Sequence, residues 1–319
     1  MPSVPTAASV GNSWFTLHRL TTGDRSVMAA LRSIVEPNKG KLRGPAARVP
    51  FDTIVGRTIA PDGVTFREDQ VAGIPGWWCE PREVLPGAAI LHLHGGWFNW
   101  GSAAAYRNLV GHIARSASAI AFVPDYRLAP EHPFPAAIED AQASLRGLAE
   151  RGIRRIAVTG DSAGGNLALS LLSLAAASPV IGVRPLGAAV LSPVTDLALS
   201  GSSWESRAQA DPYFVKEQAE GLVHGYLNGH DPRDPIASPL YASLSGLPPI
   251  RVYVGDDEVL LADSQQFVER AGAARVDARL EVWEGMPHGF VGGVGQIEAA
   301  AEALQAMGNF LHSRLAPGA

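Results

Sequence analysis

Short apolar runs alternate with stretches of helical period along most of this 319-residue chain, and that alternation leaves few folds open. The runs at 88–93 (AAILHL), 119–123, 155–159, 187–191, 250–254 and 279–283 are compact and lack strict polar–apolar alternation. That is the pattern of strands buried on both faces of a parallel sheet. Between them, Ile138, Ala141, Leu145 and Leu148 mark one face of a helix, as do Ile297, Ala300, Leu304, Met307 and Leu311. The stretch 167–177 is apolar nearly all round, as expected of a buried helix. Two earlier strand-like runs, 64–68 and 76–80, flank a Gly/Pro turn. Strand and helix in such regular succession predict an α/β fold, a doubly wound sheet flanked by helices.

The pattern divides the chain. Residues 61–195 and 236–319 read as the core. Residues 196–235 break the alternation with Trp204, Tyr213, Phe214 and Tyr226, and read as an inserted helical cap. Residues 1–60 form a preface, read as an N-terminal cap segment. Its first twelve residues, small and polar, are expected to be disordered; a helix is expected at 25–35, and EPNKGKLRGPAARVP, at 36–50, is expected to be an exposed connecting loop.

Composition narrows the function. Lys plus Arg total 26 against 31 Asp plus Glu, a net charge of −5, which lacks the basic footprint of a nucleic-acid binder. At 46% apolar and 18% charged, the chain is globular in composition. Its most apolar stretch, 167–183, is interrupted by serines and Pro179 and is too short to span a bilayer. Residues 1–12 have neither the basic nor the apolar region of a secretory signal. The single cysteine, Cys79, excludes an internal disulfide and fits a reducing compartment, so a cytoplasmic protein is expected.

Gly160-Asp161-Ser162-Ala163-Gly164 matches G-x-S-x-G. Alone it is a weak signal, but it stands between the strand run RRIAV and the helical stretch GNLALSLLSLAAA. A strand, tight turn and helix in succession put the serine at the C-terminal edge of the sheet. The helix N-terminus there offers unpaired N–H groups to developing negative charge. Ser162 is therefore the candidate nucleophile. A phosphate cradle would need G-x-G-x-x-G, which the chain lacks here; plain strand–helix packing is the other reading. Asp161 is read as tying this turn to neighbouring loops.

Directly after the run AAILHL come His94, Gly95, Gly96, Trp97 and Phe98. Adjacent glycines let backbone N–H groups approach a bound carbonyl oxygen. His92 and His94 share a strand face, but no Cys, Asp or Glu stands nearby at ligand spacing, so no metal site is expected.

HGGWF at 94–98, DYRLAPEHPFPAAIEDA at 125–141, GDSAGGNLA at 160–168 and GMPHGF at 285–290, in that order, resemble the hormone-sensitive-lipase-like (bacterial family IV) branch of the α/β-hydrolases. The likeness extends over roughly residues 60–315. It implies an α/β-hydrolase fold with a helical cap, and an oxyanion hole from the backbone N–H groups of Gly96, Trp97 and Ala163. Trp97 stands where the family usually has a third glycine, so its indole must either prop the loop or narrow the pocket mouth. Of nine histidines, only His288 and His312 follow a suitable acid in the family's order of Ser, acid, His. His312 reads as a helix-surface residue, which leaves His288 as base. Asp256, Asp257 and Glu258 all follow the run IRVYV; the family's register from Pro248-Pro249 points to Glu258, with Asp257 and Asp256 as alternatives. Asp125 and Arg127 read as scaffold.

The resemblance implies a serine carboxylesterase acting through an acyl-enzyme, without metal or organic cofactor, on short-chain or compact esters. Phe98, Trp204, Tyr213 and Phe214 are the expected substrate walls, several of them equally readable as cap core. A lactone hydrolase or acyltransferase could use the same triad, and a small-molecule receptor could use the same fold; Ser162 and His288 standing intact argue against the receptor. A small-molecule ester is the expected partner, with neither nucleic acid nor membrane, and a homodimer is in keeping with the family.

Overall fold

Six consecutive buried residues, Ala88–Leu93, form β4 in the middle of a nine-stranded sheet. This computed structural model describes residues 14–178 and 183–318. The first twelve residues and Pro179, on which expectations of disorder and of a break in the apolar stretch were placed, lie outside the described residues. The other strands are β1 (Phe15–His18), β2 (Val64–Val71), β3 (Ile74–Pro81), β5 (Ile120–Pro124), β6 (Arg155–Asp161), β7 (Ala188–Leu191), β8 (Ile250–Gly255) and β9 (Ala278–Trp283). Their order is β1-β9-β8-β7-β6-β4-β5-β3-β2. β4 to β9 pair in parallel, and the hairpin β2–β3 closes one side antiparallel to β5.

Helices cover both faces, and the period of two along each strand sorts the core accordingly. Leu91, Val158, Val190 and Val252 point to α4 (Ala136–Glu150), α5 (Ser162–Ala177) and α8 (Leu261–Ala273). Ile90, Ala157, Ala189 and Tyr253 point to α3 (Ala103–Ala117) and α9 (Glu298–Leu315). With both faces covered, the central strands β4 and β7 are buried throughout and read as continuous apolar runs.

The first sixty residues depart from expectation. Phe15–His18 adds β1 to the catalytic sheet, parallel to β9, so this segment is partly core rather than wholly cap. After α1 (Thr22–Val35), the expected exposed loop contains the start of α2 (Arg48–Val55). Two of its four basic residues are also docked, while Lys41 and Arg43 are exposed as expected. Lys39 Nζ donates to the carbonyls of Ala208 and Asp211, and Arg48 donates to those of Asn99 and Ala129 and pairs with Glu131. Residues 196–235 hold α6 (Ser203–Ser206) and α7 (Lys216–Leu227). His312 is half-buried rather than on the surface, its Nδ1 3.1 Å from the Ala117 carbonyl oxygen.

Candidate active site

Five adjacent parallel strands deliver the candidate residues to one sheet edge. In spatial order, β9 leads to His288, β8 to Glu258, β7 to Ser192, β6 to Ser162 and β4 to the glycine loop at 95–98. Ser162 sits at φ +54°, in the left-handed region that a side chain enters only at a cost of about 1–3 kcal/mol. The glycines around it are required by space. A Cβ on Gly164 would lie 1.9 Å from the Leu93 carbonyl oxygen, and one on Gly160 would lie 2.3 Å from that of Gly164. The turn is thus sharp enough to lift the serine off the strand end at the start of α5, whose first N–H groups have no acceptor within the helix.

Of the three carboxylates after β8, Glu258 meets the histidine. His288 Nδ1 lies 2.6 Å from Glu258 Oε2, and Glu258 is fully buried. Its Oε1 accepts from Ser192 Oγ at 2.7 Å and from the Gly255 N–H at 3.0 Å. The neighbours face elsewhere: Asp257 pairs with Arg32 at 2.6 Å, and Asp256 accepts from the Gly285 N–H. Burial works against a charged imidazole, but the Glu258 hydrogen bond and the negative charges of Glu258, Asp211 and Asp161 outweigh it. They hold the His288 pKa above the ordinary histidine value. Ser162 itself is tied to this group through its carbonyl, which accepts from the Val194 N–H at 3.1 Å, two residues beyond Ser192. Among the described residues Ser162 Oγ forms no hydrogen bond, to His288 or to any other group; such contacts often tighten only around a substrate.

The glycine loop is fastened to the serine turn by Asp161. Asp161 Oδ1 accepts from the Gly95 N–H at 2.9 Å and Oδ2 from the Tyr106 hydroxyl at 2.9 Å. The N–H groups of Gly96 and Trp97 donate to no acceptor among the described residues, as a hole for an oxyanion requires. His92 and His94 are taken up internally. His92 Nδ1 is 2.9 Å from Thr159 Oγ1, and His94 Nδ1 donates to the Gly95 carbonyl while its ring stacks on Tyr126. Asp125 caps Ala103, and Arg127 grips Asp140, both in scaffold positions.

Trp97 has φ +54° and is 1% exposed. Its indole packs against Trp204 (6.3 Å between centroids) and edge-on against Phe214 (5.5 Å), and Phe214 in turn packs edge-on against His288 at 5.0 Å. The side chain that replaces a glycine thus fills the space between the serine-edge loops and residues 196–235. Tyr213 adjoins Phe214, its carbonyl accepting from the Gly40 N–H of the N-terminal segment. Phe98 follows the cap-core alternative. It is fully buried and stacks on Tyr226 of α7 at 3.8 Å, a packing contact between loop and cap rather than a substrate wall. Sequence reasoning also missed Ser192 and Asp211. Ser192 is the polar residue ending the buried run AAVL at the same sheet edge, and Asp211-Pro212 is a turn-initiating pair, so both left a faint signal.

The sequence pattern of the alpha/beta hydrolase fold family matches residues 90–292. The chain is 33% identical to carboxylesterase NlhH of Mycobacterium tuberculosis over 289 residues, covering 86% of this chain and 88% of that protein. It is 37% identical to an acetyl-hydrolase of Streptomyces hygroscopicus over 215 residues, covering 66% and 70% respectively. Among solved structures, an esterase from the bacterial hormone-sensitive lipase family superposes with a TM-score of 0.83 at 35% identity, covering 93% of this chain and 99% of that one.

Proposed function

Since the chain belongs to the alpha/beta hydrolase fold family, in its hormone-sensitive-lipase-like branch, we propose that it is a carboxylesterase in which Ser162, His288 and Glu258 carry out the hydrolysis. The observation that carries this reading is the 2.6 Å contact of His288 Nδ1 with Glu258 Oε2, at the same sheet edge as the strained Ser162. Ser162 Oγ attacks the ester carbonyl carbon while His288 Nε2 takes its proton, a service worth about 10²–10⁴-fold. Glu258 holds the tautomer with hydrogen on Nδ1 and stabilises the imidazolium. The N–H groups of Gly96, Trp97 and Ala163 receive the oxyanion, each worth about 3 kcal/mol or more. His288 then protonates the departing alcohol. Water, losing its proton to the same imidazole, attacks the acyl-enzyme and releases the carboxylic acid.

Residues 196–235 and the part of the N-terminal segment that follows β1, 19–60, roof this site in our reading, supported by the contacts of Phe214 with His288 and of Lys39 with Ala208 and Asp211. Ser162 is 2% exposed, and the Trp97 indole of the neighbouring glycine loop packs against Trp204 and Phe214; this crowding supports short or compact acyl groups over long lipid tails. A rate on long-chain triglyceride equal to that on a butyrate ester would overturn that preference. Among the described residues no helix is long and apolar enough to cross a membrane. A cytoplasmic location is supported by the single cysteine, the lack of a nucleic-acid partner by the net charge, and a homodimer by the family resemblance alone.

A fluorophosphonate probe tests the nucleophile directly. Mass analysis should find one adduct, on the peptide bearing Ser162, absent in Ser162→Ala and slow to form in His288→Gln. An adduct on another serine, or none, would overturn the assignment.

A further inference from the structure

We propose that Asp211 is a positioning residue of this active site: its buried carboxylate locks the cap loop that sets Phe214 against His288 to the loop that carries Glu258. The inference rests on His288 acting as base. Asp211 is fully buried. Its Oδ1 accepts from the N–H groups of Tyr213 at 2.7 Å and Phe214 at 2.9 Å, which fixes the turn presenting the Phe214 ring edge-on to His288. Its Oδ2 accepts from the N–H of Val259 at 3.0 Å, the residue after Glu258. Ser203 Oγ of α6 donates to the carbonyl of that same Val259, so cap and acid loop are fastened through both backbone groups of one residue.

No lysine or arginine side chain pairs with the Asp211 carboxylate among the described residues. Arg32 reaches the Ala210 carbonyl and Asp257, Lys39 reaches the Asp211 carbonyl, and Arg207 precedes it on its own loop. Its charge is therefore met by backbone dipoles and stays available to His288. Glu258 hydrogen-bonds that imidazole directly, while Asp211 in the cap and Asp161 in the serine turn add negative charge to its surroundings without touching it. Asp211 thus acts in two ways, its hydrogen bonds placing an aromatic ring on the base and its charge adding to the negative surroundings of that base.

The test is the pH dependence of kcat/KM for a p-nitrophenyl butyrate substrate in wild type, Asp211→Asn and Phe214→Leu. Asparagine keeps the size but removes the charge and turns an amide N–H toward one of the backbone donors. With less negative charge nearby the imidazolium is less stable, so the acid limb should move to lower pH by about half a unit or more. kcat should fall about 10-fold or more as the ring and the acid loop lose register. Phe214→Leu keeps the charge and should lower kcat with the limb in place. An Asp211→Asn variant with a lower melting temperature but an unmoved limb overturns the proposal, as does an equal shift in Phe214→Leu. Where Asp211→Asn does not fold, Asp211→Glu serves: the retained charge must keep the limb at the wild-type pH, and a downward shift contradicts the proposal. A wild-type profile without any acid limb contradicts His288 as base instead, which separates that failure from this one.

Discussion

Glu258 binds His288 with one carboxylate oxygen and is itself held by Ser192 and Gly255 through the other, at 2.6 Å, 2.7 Å and 3.0 Å. A glutamate reaches farther than an aspartate by one methylene, and the two donors to Oε1 fix where that extra length goes. Glu258→Gln should lower kcat by about 10³–10⁴-fold, because an amide cannot enforce the tautomer with hydrogen on Nδ1. Glu258→Asp should cost about 10²-fold through displacement by a bond length. Asp257→Asn, which loses only the Arg32 pair, should stay within about tenfold of wild type. Steady-state kinetics on one butyrate ester would rank the three; a larger loss in Asp257→Asn than in Glu258→Gln would transfer the acid role.

The imidazole must be neutral to accept the serine proton. With burial outweighed by the Glu258 hydrogen bond and neighbouring negative charge, its pKa lies above the ordinary value. Activity should therefore fall on the acid side with a midpoint above about 6.5. Glu258→Gln should move that midpoint down, since the group that raises it is gone. A wild-type midpoint below the ordinary histidine value of about 6.5 would contradict the hydrogen-bonded pair.

Trp97 should set the acyl limit. Trp97→Gly removes the ring wedged against Trp204 and Phe214 and places a glycine at φ +54°. The ratio of kcat/KM for octanoate over butyrate should rise about tenfold, the scale of discrimination per methylene or two in an apolar pocket. The variant should also melt lower, because losing a buried tryptophan, about 3–5 kcal/mol, exceeds the relief of backbone strain, about 1–3 kcal/mol. An unchanged chain-length profile would show that the ring bounds something other than the acyl site.

The sequence carries the strands of the sheet and the serine turn because both rest on local pattern: buried runs of apolar residues, and glycines forced by contacts under 2.5 Å. β1 escapes such reading since its four residues, Phe15–His18, are mostly exposed at the sheet edge and gain their form from β9, more than 260 residues away. Composition cannot single out the acid among Asp256, Asp257 and Glu258; the family register from Pro248-Pro249 points to Glu258 and leaves the other two open, and the tertiary partners, His288, Arg32 and the Gly285 N–H, distinguish the three. In the sequence Phe98 is open between wall and cap core for a related reason. Aromatic size marks a wall and a core residue alike, and the stacking on Tyr226 is a long-range contact.

Asp263, at the start of α8, offers a test of stability apart from catalysis. Burial pushes its carboxyl up to about 7, against the pull of the Thr195 and Asp196 N–H groups on Oδ2, while Oδ1 has no partner. A raised folded pKa means stability that is whole below about 3.8 and is lost as pH rises toward 7. Asp263→Asn keeps an oxygen for both N–H groups and cannot ionise. Its melting temperature relative to wild type should therefore be higher at pH 8 than at pH 5, by about 2 °C or more. An equal difference at both pH values would contradict a buried carboxyl that titrates in this range.

The central claim, that Ser162 at this sheet edge hydrolyses compact carboxylic esters, is tested most directly by p-nitrophenyl esters from acetate to palmitate, with wild type and Ser162→Ala side by side. Wild type should turn over the short esters with an optimum at or near butyrate, and Ser162→Ala should lose at least about 10³-fold in kcat. Equal rates in the two proteins, or a wild type inert on every ester, would contradict it.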